Sequence, residues 1–244
     1  MSYFLTSQKL EIDKETTVSG EEAVHIFAAR RIKPGETIEI QDANNKRFLT
    51  KVVAASRKEV KVSPMQQIDT PLEPDLQIYV LLALVKEKAL DYIIQKITEL
   101  GVRELIIFPS TNSPIEPGNK EKRVERWQRI SIEATKQSGR AYPTQVTFLD
   151  NMDQALEAAR KTDLTFLLEK TGNKNFRDVS TEKPKIKSVA VIIGPEGGLT
   201  ADEIKQSLAI KNSVAVRMGP RILRADTATI AAVSTIQALF GDLA

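Results

Sequence analysis

The stretch LQIYVLLALVKEKALDYIIQKITELG, Leu76–Gly101, decides the fold class of this chain. Its first ten residues form an almost continuous apolar run, which is typical of a strand buried on both faces of a sheet. The following residues predict an amphipathic helix that stops at Gly101, because their apolar side chains recur at helical spacing. The apolar face of this helix comprises Ala89, Leu90, Ile93, Ile94, Ile97 and Leu100. A buried strand followed by such a helix is typical of an α/β fold.

The same alternation continues towards the end of the chain. Further strands are predicted in RELIIFPS at 103–110, DLTFLLEK at 163–170, VAVIIGPEG at 189–197 and VAVRMGP at 214–220. Helices are predicted at 120–139, 200–209 and 225–241. Strands that alternate with helices indicate an α/β layer with a mostly parallel sheet.

A change of pattern divides the chain. Residues 63–75, SPMQQIDTPLEPD, have the composition of a linker, with three prolines among few apolar residues. Before them, short alternating runs are interrupted by DANN at 42–45, a hairpin-type turn, and one helix fits GEEAVHIFAARR at 20–31. We therefore expect a small β-rich domain at residues 1–70 and an α/β domain at residues 74–244.

The composition excludes several kinds of chemistry. The 244 residues contain no cysteine and a single histidine, so we expect neither thiol chemistry nor a metal site. No apolar run reaches the length of a membrane span, and the first residues lack the apolar core of a signal peptide. These features predict a cytoplasmic protein without a membrane partner.

Positive charge is clustered, although the net charge is only +3. Between Gly118 and Arg140, seven lysines and arginines stand against three glutamates, and Lys211–Arg224 holds four cations and no carboxylate. Such clusters suit a polyanion such as RNA. The alternative for the first cluster is a solvated helix face. It is a weaker alternative for the second, whose arginines flank a turn.

Three predicted strands end in unusual residues. They are Leu168-Glu169-Lys170, Gly194–Gly198 and Met218–Arg221. In open α/β sheets ligands bind at the carboxyl ends of the strands. The sequence therefore predicts a site where these three segments meet.

The second of these segments, Gly194–Gly198, is called the glycine loop below. Gly197 and Gly198 allow positive φ and the close approach of a ligand. Thr200 fits an N-cap with Glu203 three residues later, which predicts a capping box at a helix start. A phosphate at this helix end is one possibility, but Glu196 would repel it, so a ligand with hydroxyl groups or a positive charge fits better. The alternative is a tight turn with a helix cap and no ligand.

The third segment belongs to RMGPRILR, Arg217–Arg224, called the arginine loop below. Small residues at the start of the following helix permit the close approach of a ligand or another chain. Arg221 and Arg224 suit phosphate groups, because a guanidinium binds phosphate through two donors. The alternative is a salt bridge from these arginines to Asp226, Glu196 or Glu203.

Together, IGPEGGLTADE at 193–203 and MGPRILRADTA at 218–228 resemble the paired signature of the RsmE family of SPOUT-type methyltransferases. Supporting matches are Gln95–Val102, Arg126–Pro143, and His25 with Arg31–Gly35, so the resemblance extends over nearly the whole chain. It implies a PUA-like β-barrel, a trefoil knot in the C-terminal α/β domain, and a homodimer. It also implies methylation of nitrogen-3 of a uridine in 16S ribosomal RNA, within the small ribosomal subunit, with S-adenosylmethionine (SAM).

The chemistry of this methyl transfer predicts three catalytic residues. Arg140 and Arg224 would stabilise negative charge on the uracil carbonyl oxygens, and Glu196 or a water molecule would accept the proton of nitrogen-3. The implied cofactor-binding residues are Leu168, Glu169, Gly194, Pro195, Glu196, Gly197, Gly198, Met218, Gly219, Ile222, Leu223, Arg224 and Thr227. The cation clusters and the resemblance together predict the RNA-binding residues. They are His25, Arg31, Lys120, Lys122, Arg123, Arg126 and Arg221. Two alternatives stay open: a SPOUT methyltransferase acting on another RNA nucleotide or on ribose, and an RNA-binding dimer without catalytic activity.

Overall fold

Two sheets organise the chain. A computed structural model describes residues 3–30, 32–70, 73–183 and 185–243. The chain divides into a first unit, Met1–Leu72 with Lys136–Tyr142, and a second unit, Glu73–Thr135 with Pro143–Ala244. The first unit therefore includes a segment, Lys136–Tyr142, that the sequence pattern placed in the second domain.

The first unit is built on a mixed five-stranded sheet, a half-barrel in the order β1-β3-β4-β5-β2. Its elements are β1 (Phe4–Leu5), β2 (Thr16–Ser19), α1 (Glu21–Arg30), β3 (Thr37–Gln41), β4 (Arg47–Ala55) and β5 (Glu59–Ile68). Strands β1 and β3 are parallel, and the remaining pairs are antiparallel. Alternate residues such as Ile38, Ile40, Val60 and Val62 are buried in one core, as expected for strands with one solvated face.

The predicted turn at DANN is confirmed as the connection between β3 and β4. Asp42 accepts hydrogen bonds from the backbone nitrogens of Asn44 and Lys46 at 2.8 and 2.9 Å, so its side chain supports the turn. Asn45 has a φ of 59°, a left-handed conformation that asparagine tolerates better than most residues.

The second unit holds a six-stranded sheet in the order β11-β9-β10-β6-β7-β8, and all its pairs are parallel. Its elements are β6 (Gln77–Ala83), α2 (Glu87–Glu99), β7 (Glu104–Phe108), α3 (Lys120–Ser138), β8 (Gln145–Phe148), α4 (Met152–Ala159), β9 (Leu164–Leu168), α5 (Phe176–Glu182), β10 (Ser188–Ile193), α6 (Ala201–Leu208), β11 (Ser213–Val216) and α7 (Ala225–Phe240). The α/β class and the parallel sheet predicted from sequence are confirmed. Sequence reasoning missed β8, α4 and α5, which are too short to give a clear period.

Both faces of this sheet are covered, which explains the continuous apolar run that forms β6. Ile78, Val80 and Leu82 pack with apolar residues of α2, α3, α5 and α7. Leu81 and Ala83 point to the opposite core, which includes residues of α4 and Ile204 of α6. Because successive side chains of a strand alternate between faces, a strand covered on both sides needs apolar residues at every position.

Helix α2 ends as predicted. Gly101 has a φ of 81°, and the backbone nitrogen of Val102 donates to the Ile97 carbonyl at 3.0 Å, which closes the last turn. The expected trefoil knot stays a prediction, because strand order does not define how the chain threads. Within the described part of the chain, no helix combines the length and apolarity needed to cross a bilayer.

Candidate active site

The carboxyl ends of β9, β10 and β11 lie side by side, because these strands are adjacent and parallel. A pocket of about 630 Å³ opens at this edge of the sheet. Its walls are the residues after β9, the glycine loop, most of the arginine loop, and the first turn of α7 at Ala225 and Ala228. The strand ends that the sequence singled out therefore meet at one site.

The glycine loop is a tight turn held from behind. Gly198 has a φ of 74°, and its nitrogen donates to the Pro195 carbonyl at 2.9 Å. The Asn112 side-chain nitrogen donates to the carbonyl oxygens of Gly198 and Gly197 at 3.0 and 3.4 Å. A β-carbon on Gly197 would lie 2.9 Å from the Asn112 β-carbon, so this position has no room for a side chain.

The capping box predicted at the start of α6 is confirmed. Glu203 accepts from the nitrogen of Thr200 at 2.7 Å, and its own backbone nitrogen donates to the Thr200 hydroxyl at 3.3 Å. The other Glu203 oxygen accepts from the nitrogen and the hydroxyl of Thr111 at 2.9 and 3.2 Å. Burial raises the pKa of this carboxyl, but the hydrogen bonds from Thr200 and Thr111 outweigh it and bring the pKa below its ordinary value.

The arginine loop has few restraints. The nitrogen of Arg217 donates to the Lys174 carbonyl at 2.9 Å, and in the described structure no hydrogen bond involves the residues from Met218 to Leu223. Ile222 is 92% exposed. The alternative of a salt bridge is not observed, since among the described residues neither Arg221 nor Arg224 pairs with a carboxylate. Asp226 instead accepts from the nitrogen of Thr227 at 2.6 Å.

The structure brings most of the predicted cofactor residues to one pocket. Those that line it are Leu168, Glu169, Gly194, Pro195, Glu196, Gly197, Gly198, Met218, Gly219, Ile222 and Leu223. Arg224 and Thr227 are close in sequence to pocket residues but do not line the pocket. Arg224 is the N-cap of α7. Arg221, predicted to bind RNA, is a lining residue, as are Lys170 and Pro220.

Arg140 belongs to the first unit, where its backbone is tied down. The Tyr3 hydroxyl donates to the Arg140 carbonyl at 2.6 Å, and the Arg47 guanidinium donates to the carbonyls of Gly139 and Arg140 at 3.2 and 3.3 Å. Arg47 is buried and stacks 3.8 Å from the centre of the Tyr3 ring. The pocket residues all come from the second unit, which contains Arg224 but not Arg140, and the predicted catalytic roles of both arginines stay predictions.

Most of the predicted RNA-binding cations on α3 are paired within the protein. Arg123 and Arg126 bind Glu87 at 2.8 and 2.9 Å, and Arg126 also contacts Asp91. Lys120 pairs with Asp150, and this hydrogen bond is the main cause of a lowered pKa for the Asp150 carboxyl. Lys122 is exposed, and its ammonium has no ion-pair partner in the described part of the chain. Three of these four cations therefore have a carboxylate partner within the protein, and the RNA-binding role of all four stays a prediction.

The remaining predicted RNA residues lie in the first unit. His25 is on α1, where its ring contacts Phe4 edge-on and its Nδ1 lies 3.8 Å from a Glu22 oxygen. Its side chain is 41% exposed. Arg31 lies outside the described residues.

Sequence reasoning missed the residues that support the pocket from behind. Thr111 and Asn112 follow β7, and the short polar segment TNSP is a weak signal because many loops share that composition. Gly172 was also missed. A β-carbon there would lie 2.8 Å from the carbonyl carbon of Val216, so β11 can approach closely only because this residue is glycine. Among the described residues, no group of three or more acidic or histidine side chains could hold a metal ion.

Comparison with protein families gives two matches. Residues 72–237 match the model of an RNA methyltransferase domain, and residues 18–65 match the model of an RNA methyltransferase PUA domain. The first match covers the whole sheet of the second unit and the pocket. The second covers most of the half-barrel.

Individual proteins align along nearly their full length. Ribosomal RNA small subunit methyltransferase E of Bacillus subtilis is 30% identical over 95% of this chain and 93% of its own. The same-named structure from Neisseria gonorrhoeae, bound to SAM, has a TM-score of 0.85 at 26% identity and covers both chains fully. A putative methyltransferase from Legionella pneumophila with bound SAM has a TM-score of 0.90 at 27% identity, over 99% of this chain and 98% of its own. Because the family model and the Bacillus relative both span most of its length, the chain belongs to the RNA methyltransferases and, among them, to the ribosomal RNA small subunit methyltransferase E family.

Proposed function

We propose that the protein methylates nitrogen-3 of a uridine in the 16S ribosomal RNA of the small subunit, with SAM as methyl donor. The observation that carries the proposal is the pocket at the ends of β9, β10 and β11, where the two signature loops meet. Relatives of the same fold bind SAM, which supports the choice of cofactor. The enzyme is therefore a SAM-dependent RNA methyltransferase. We propose nitrogen-3 of uridine as the atom that it methylates.

The pocket fits SAM in size and in chemistry. Its volume of about 630 Å³ lies within the ordinary range for small-molecule sites. Leu168, Ile193 and Met218 offer apolar surface, and the glycine loop allows close approach of backbone to ligand. Carboxylates at Glu169 and Glu196 suit a ligand that carries a positive sulfur, whereas they would repel a phosphate.

We assign the binding of the cofactor to backbone groups of the glycine loop and of Met218–Leu223, with Glu196 nearest the positive charge. Bound SAM supplies an electrophilic methyl group. The protein needs no metal for this transfer, since its task is to align the attacking nitrogen with that methyl group. Transfer of the methyl group from sulfur to nitrogen-3, with loss of the nitrogen-3 proton, would yield S-adenosylhomocysteine and N3-methyluridine.

The proton on nitrogen-3 is the chemical difficulty, because the lone pair becomes available only when that proton leaves. We assign Glu196 or a water molecule as the acceptor. The guanidinium groups of Arg224 and Arg140 would stabilise negative charge that develops on the uracil carbonyl oxygens. The base has to be unstacked to reach the pocket, which is easiest in single-stranded or looped RNA.

We propose that the RNA backbone contacts exposed cations that have no ion-pair partner among the described residues. Lys122 and Arg221 meet this condition, whereas Arg123 and Arg126 are paired with Glu87. The first unit adds a basic surface on the β4–β5 hairpin, where four exposed cations have no ion pair among the described residues. These cations are Lys51, Arg57, Lys58 and Lys61. His25 and Arg31 remain proposed contacts.

We further propose that the protein is a homodimer and acts in the cytoplasm on RNA of the small ribosomal subunit. Helix α7 supports the dimer, since it is apolar along most of its length and Ile230 and Leu239 stay partly exposed. Light scattering of the full chain at micromolar concentration tests this directly. A mass of one chain would contradict it.

Two measurements test the proposed function. Calorimetry with SAM should give a single site per chain. Incubation with SAM and small subunits from a strain that lacks the gene, followed by nucleoside mass spectrometry, should yield N3-methyluridine. A methyl group on another base or on ribose would favour a SPOUT enzyme with a different target. RNA binding without SAM binding would favour the non-catalytic alternative.

A further inference from the structure

The loop between β7 and α3 contacts the glycine loop from outside the pocket. None of its residues lines the pocket, yet Thr111 and Asn112 reach both ends of the segment from the glycine loop to the start of α6. Asn112 binds the carbonyl oxygens of Gly197 and Gly198, and Thr111 binds Glu203. We propose that Asn112 and Thr111 are positioning residues that set the affinity for SAM by holding the glycine loop in its binding conformation.

The first restraint on the glycine loop comes from the side chain of Asn112. Its amide donates to two successive carbonyl oxygens, so two peptide planes of the turn are restrained by one side chain. The glycines themselves contribute little rigidity, because residues without a β-carbon have the widest conformational freedom. The missing restraint is supplied from outside the turn by Asn112.

The second restraint comes from Glu203. Glu203 is only 9% exposed, and its two carboxylate oxygens are divided between Thr200 and Thr111. Hydrogen bonds to an ionised carboxylate are stronger than neutral ones. Glu203 therefore joins the start of α6 to the β7–α3 loop and fixes the far end of the segment that carries the glycine loop.

Affinity follows from this restraint because a ligand that binds a flexible loop must also order it. Holding a loop in its bound conformation removes that cost. Removing the restraint should therefore weaken SAM binding although no atom that touches SAM has changed. This inference rests on the proposed function, since it takes SAM to be the ligand of the pocket.

The test of Asn112 compares three variants of the full chain, and two further variants test Thr111. Asn112→Asp keeps the shape of the side chain but replaces its donor by an acceptor facing two carbonyl oxygens, and Asn112→Ala removes the group. The control is Asn151→Ala, which removes another asparagine contact, the N-cap of α4 that accepts from the nitrogen of Gln154 at 3.0 Å. Asn151 is not among the residues that line the pocket.

Calorimetry should show the SAM dissociation constant raised about tenfold in both Asn112 variants and unchanged in Asn151→Ala. A tenfold change corresponds to about 1.4 kcal/mol of binding free energy. At saturating SAM, turnover should stay within about threefold of the parent, since a positioning residue of this kind acts on binding. Thr111→Ser should keep the parent affinity, because it retains the hydroxyl, and Thr111→Val should lower it.

Two results are decisive against the inference. If the parent protein binds SAM and the Asn112 variants bind it equally well, the positioning role is wrong and the proposed function stands. If the Asn112 and Asn151 variants lose thermal stability alike with unchanged SAM affinity, both contacts are merely structural. Failure of the parent protein to bind SAM would instead overturn the proposed function itself.

Discussion

The glycine loop and the arginine loop line the same pocket, but the protein holds them differently. Asn112 and the turn hydrogen bond from Gly198 to Pro195 restrain the glycine loop, and a capping box follows it. The arginine loop has no comparable restraint between Met218 and Leu223 in the described structure, and Ile222 lies almost fully in solvent. One wall of the pocket is thus pre-organised, and the other is open.

This difference indicates that the two walls have different functions. A pre-organised wall favours tight binding of a small ligand, because little ordering is left to occur on binding. A loop with free guanidinium groups can adapt to the second substrate and bring positive charge to it. We therefore expect substitutions in the glycine loop to act on SAM affinity and substitutions in the arginine loop to act on the reaction with RNA.

The largest effect is expected for Gly197→Val. A β-carbon at Gly197 would lie 2.9 Å from the Asn112 β-carbon, and a branched side chain would force the turn away from its support. SAM binding should fall below detection in calorimetry, which is a loss of at least about a hundredfold, while circular dichroism stays that of the parent protein. Unchanged SAM affinity in this variant would contradict a pre-organised glycine loop.

Gly219→Ala is the matched control in the arginine loop. Gly219 also has a positive φ, 79°, but nothing lies within 4 Å of the position that a β-carbon would occupy. The backbone strain of about 1 kcal/mol should be absorbed by the open loop, so SAM affinity should change by no more than about fivefold. Equal losses at Gly197 and Gly219 would show that the two walls do not differ in rigidity.

Arg224→Ala should have the next largest effect, this time on catalysis. Loss of a group that stabilises charge only in the transition state should lower turnover by about a hundredfold and leave RNA binding nearly unchanged. Rates at saturating SAM and RNA, with a separate RNA titration, measure both quantities.

The paired variant is Lys122→Ala, which should weaken RNA binding and reduce its salt dependence by about one unit of slope, with normal turnover. If the two variants behave alike, the distinction between binding and catalytic cations is wrong.

Glu203→Gln tests the anchor of the pre-organised wall. The pKa of Glu203 is lowered in the folded protein. The ionised carboxylate therefore contributes its full stabilisation above the ordinary glutamate pKa of 4.5, and this stabilisation is lost as pH falls through the lower pKa of the folded state. The variant should lose about 1–2 kcal/mol of unfolding free energy at pH 7. The difference from the parent should shrink below pH 4.5 in urea titrations. A difference that stays constant down to about pH 3 would rule out this role of the charge.

The smallest effect is expected for Ile222→Ser, at the tip of the open wall. Because Ile222 is 92% exposed, its replacement should change the unfolding free energy by less than about 0.5 kcal/mol. As a pocket residue it should still raise the SAM dissociation constant by about two- to fivefold, through lost apolar contact. A large loss of stability would mean that the arginine loop is packed more firmly than its exposure indicates.

Local sequence signals were sufficient for the fold class and for the location of the pocket. The continuous apolar run of β6 indicated burial on both faces, and Thr200 with Glu203 indicated the capping box of α6. These features depend on residues close together in the chain, so spacing reveals them. Short elements such as β8 and α4 escaped because four to eight residues give too little periodicity. The equally short α6 and β11 were predicted because a capping box and a Gly-Pro turn mark them in the sequence.

The sequence by itself determined the alternation of strands and helices, the two signature loops and the family they indicate. Only the tertiary structure decided which strand ends meet, that Asn112 supports Gly197 and Gly198, and that Arg123 and Arg126 form ion pairs with Glu87. Asn112 and Gly197 are far apart in the chain, and their contact exists because the order of strands in the sheet brings the loop after β7 towards the loop after β10. A charge cluster in the sequence is defined by the residues of one segment. Whether its cations are paired depends on the carboxylates of a neighbouring helix, which only the tertiary structure shows.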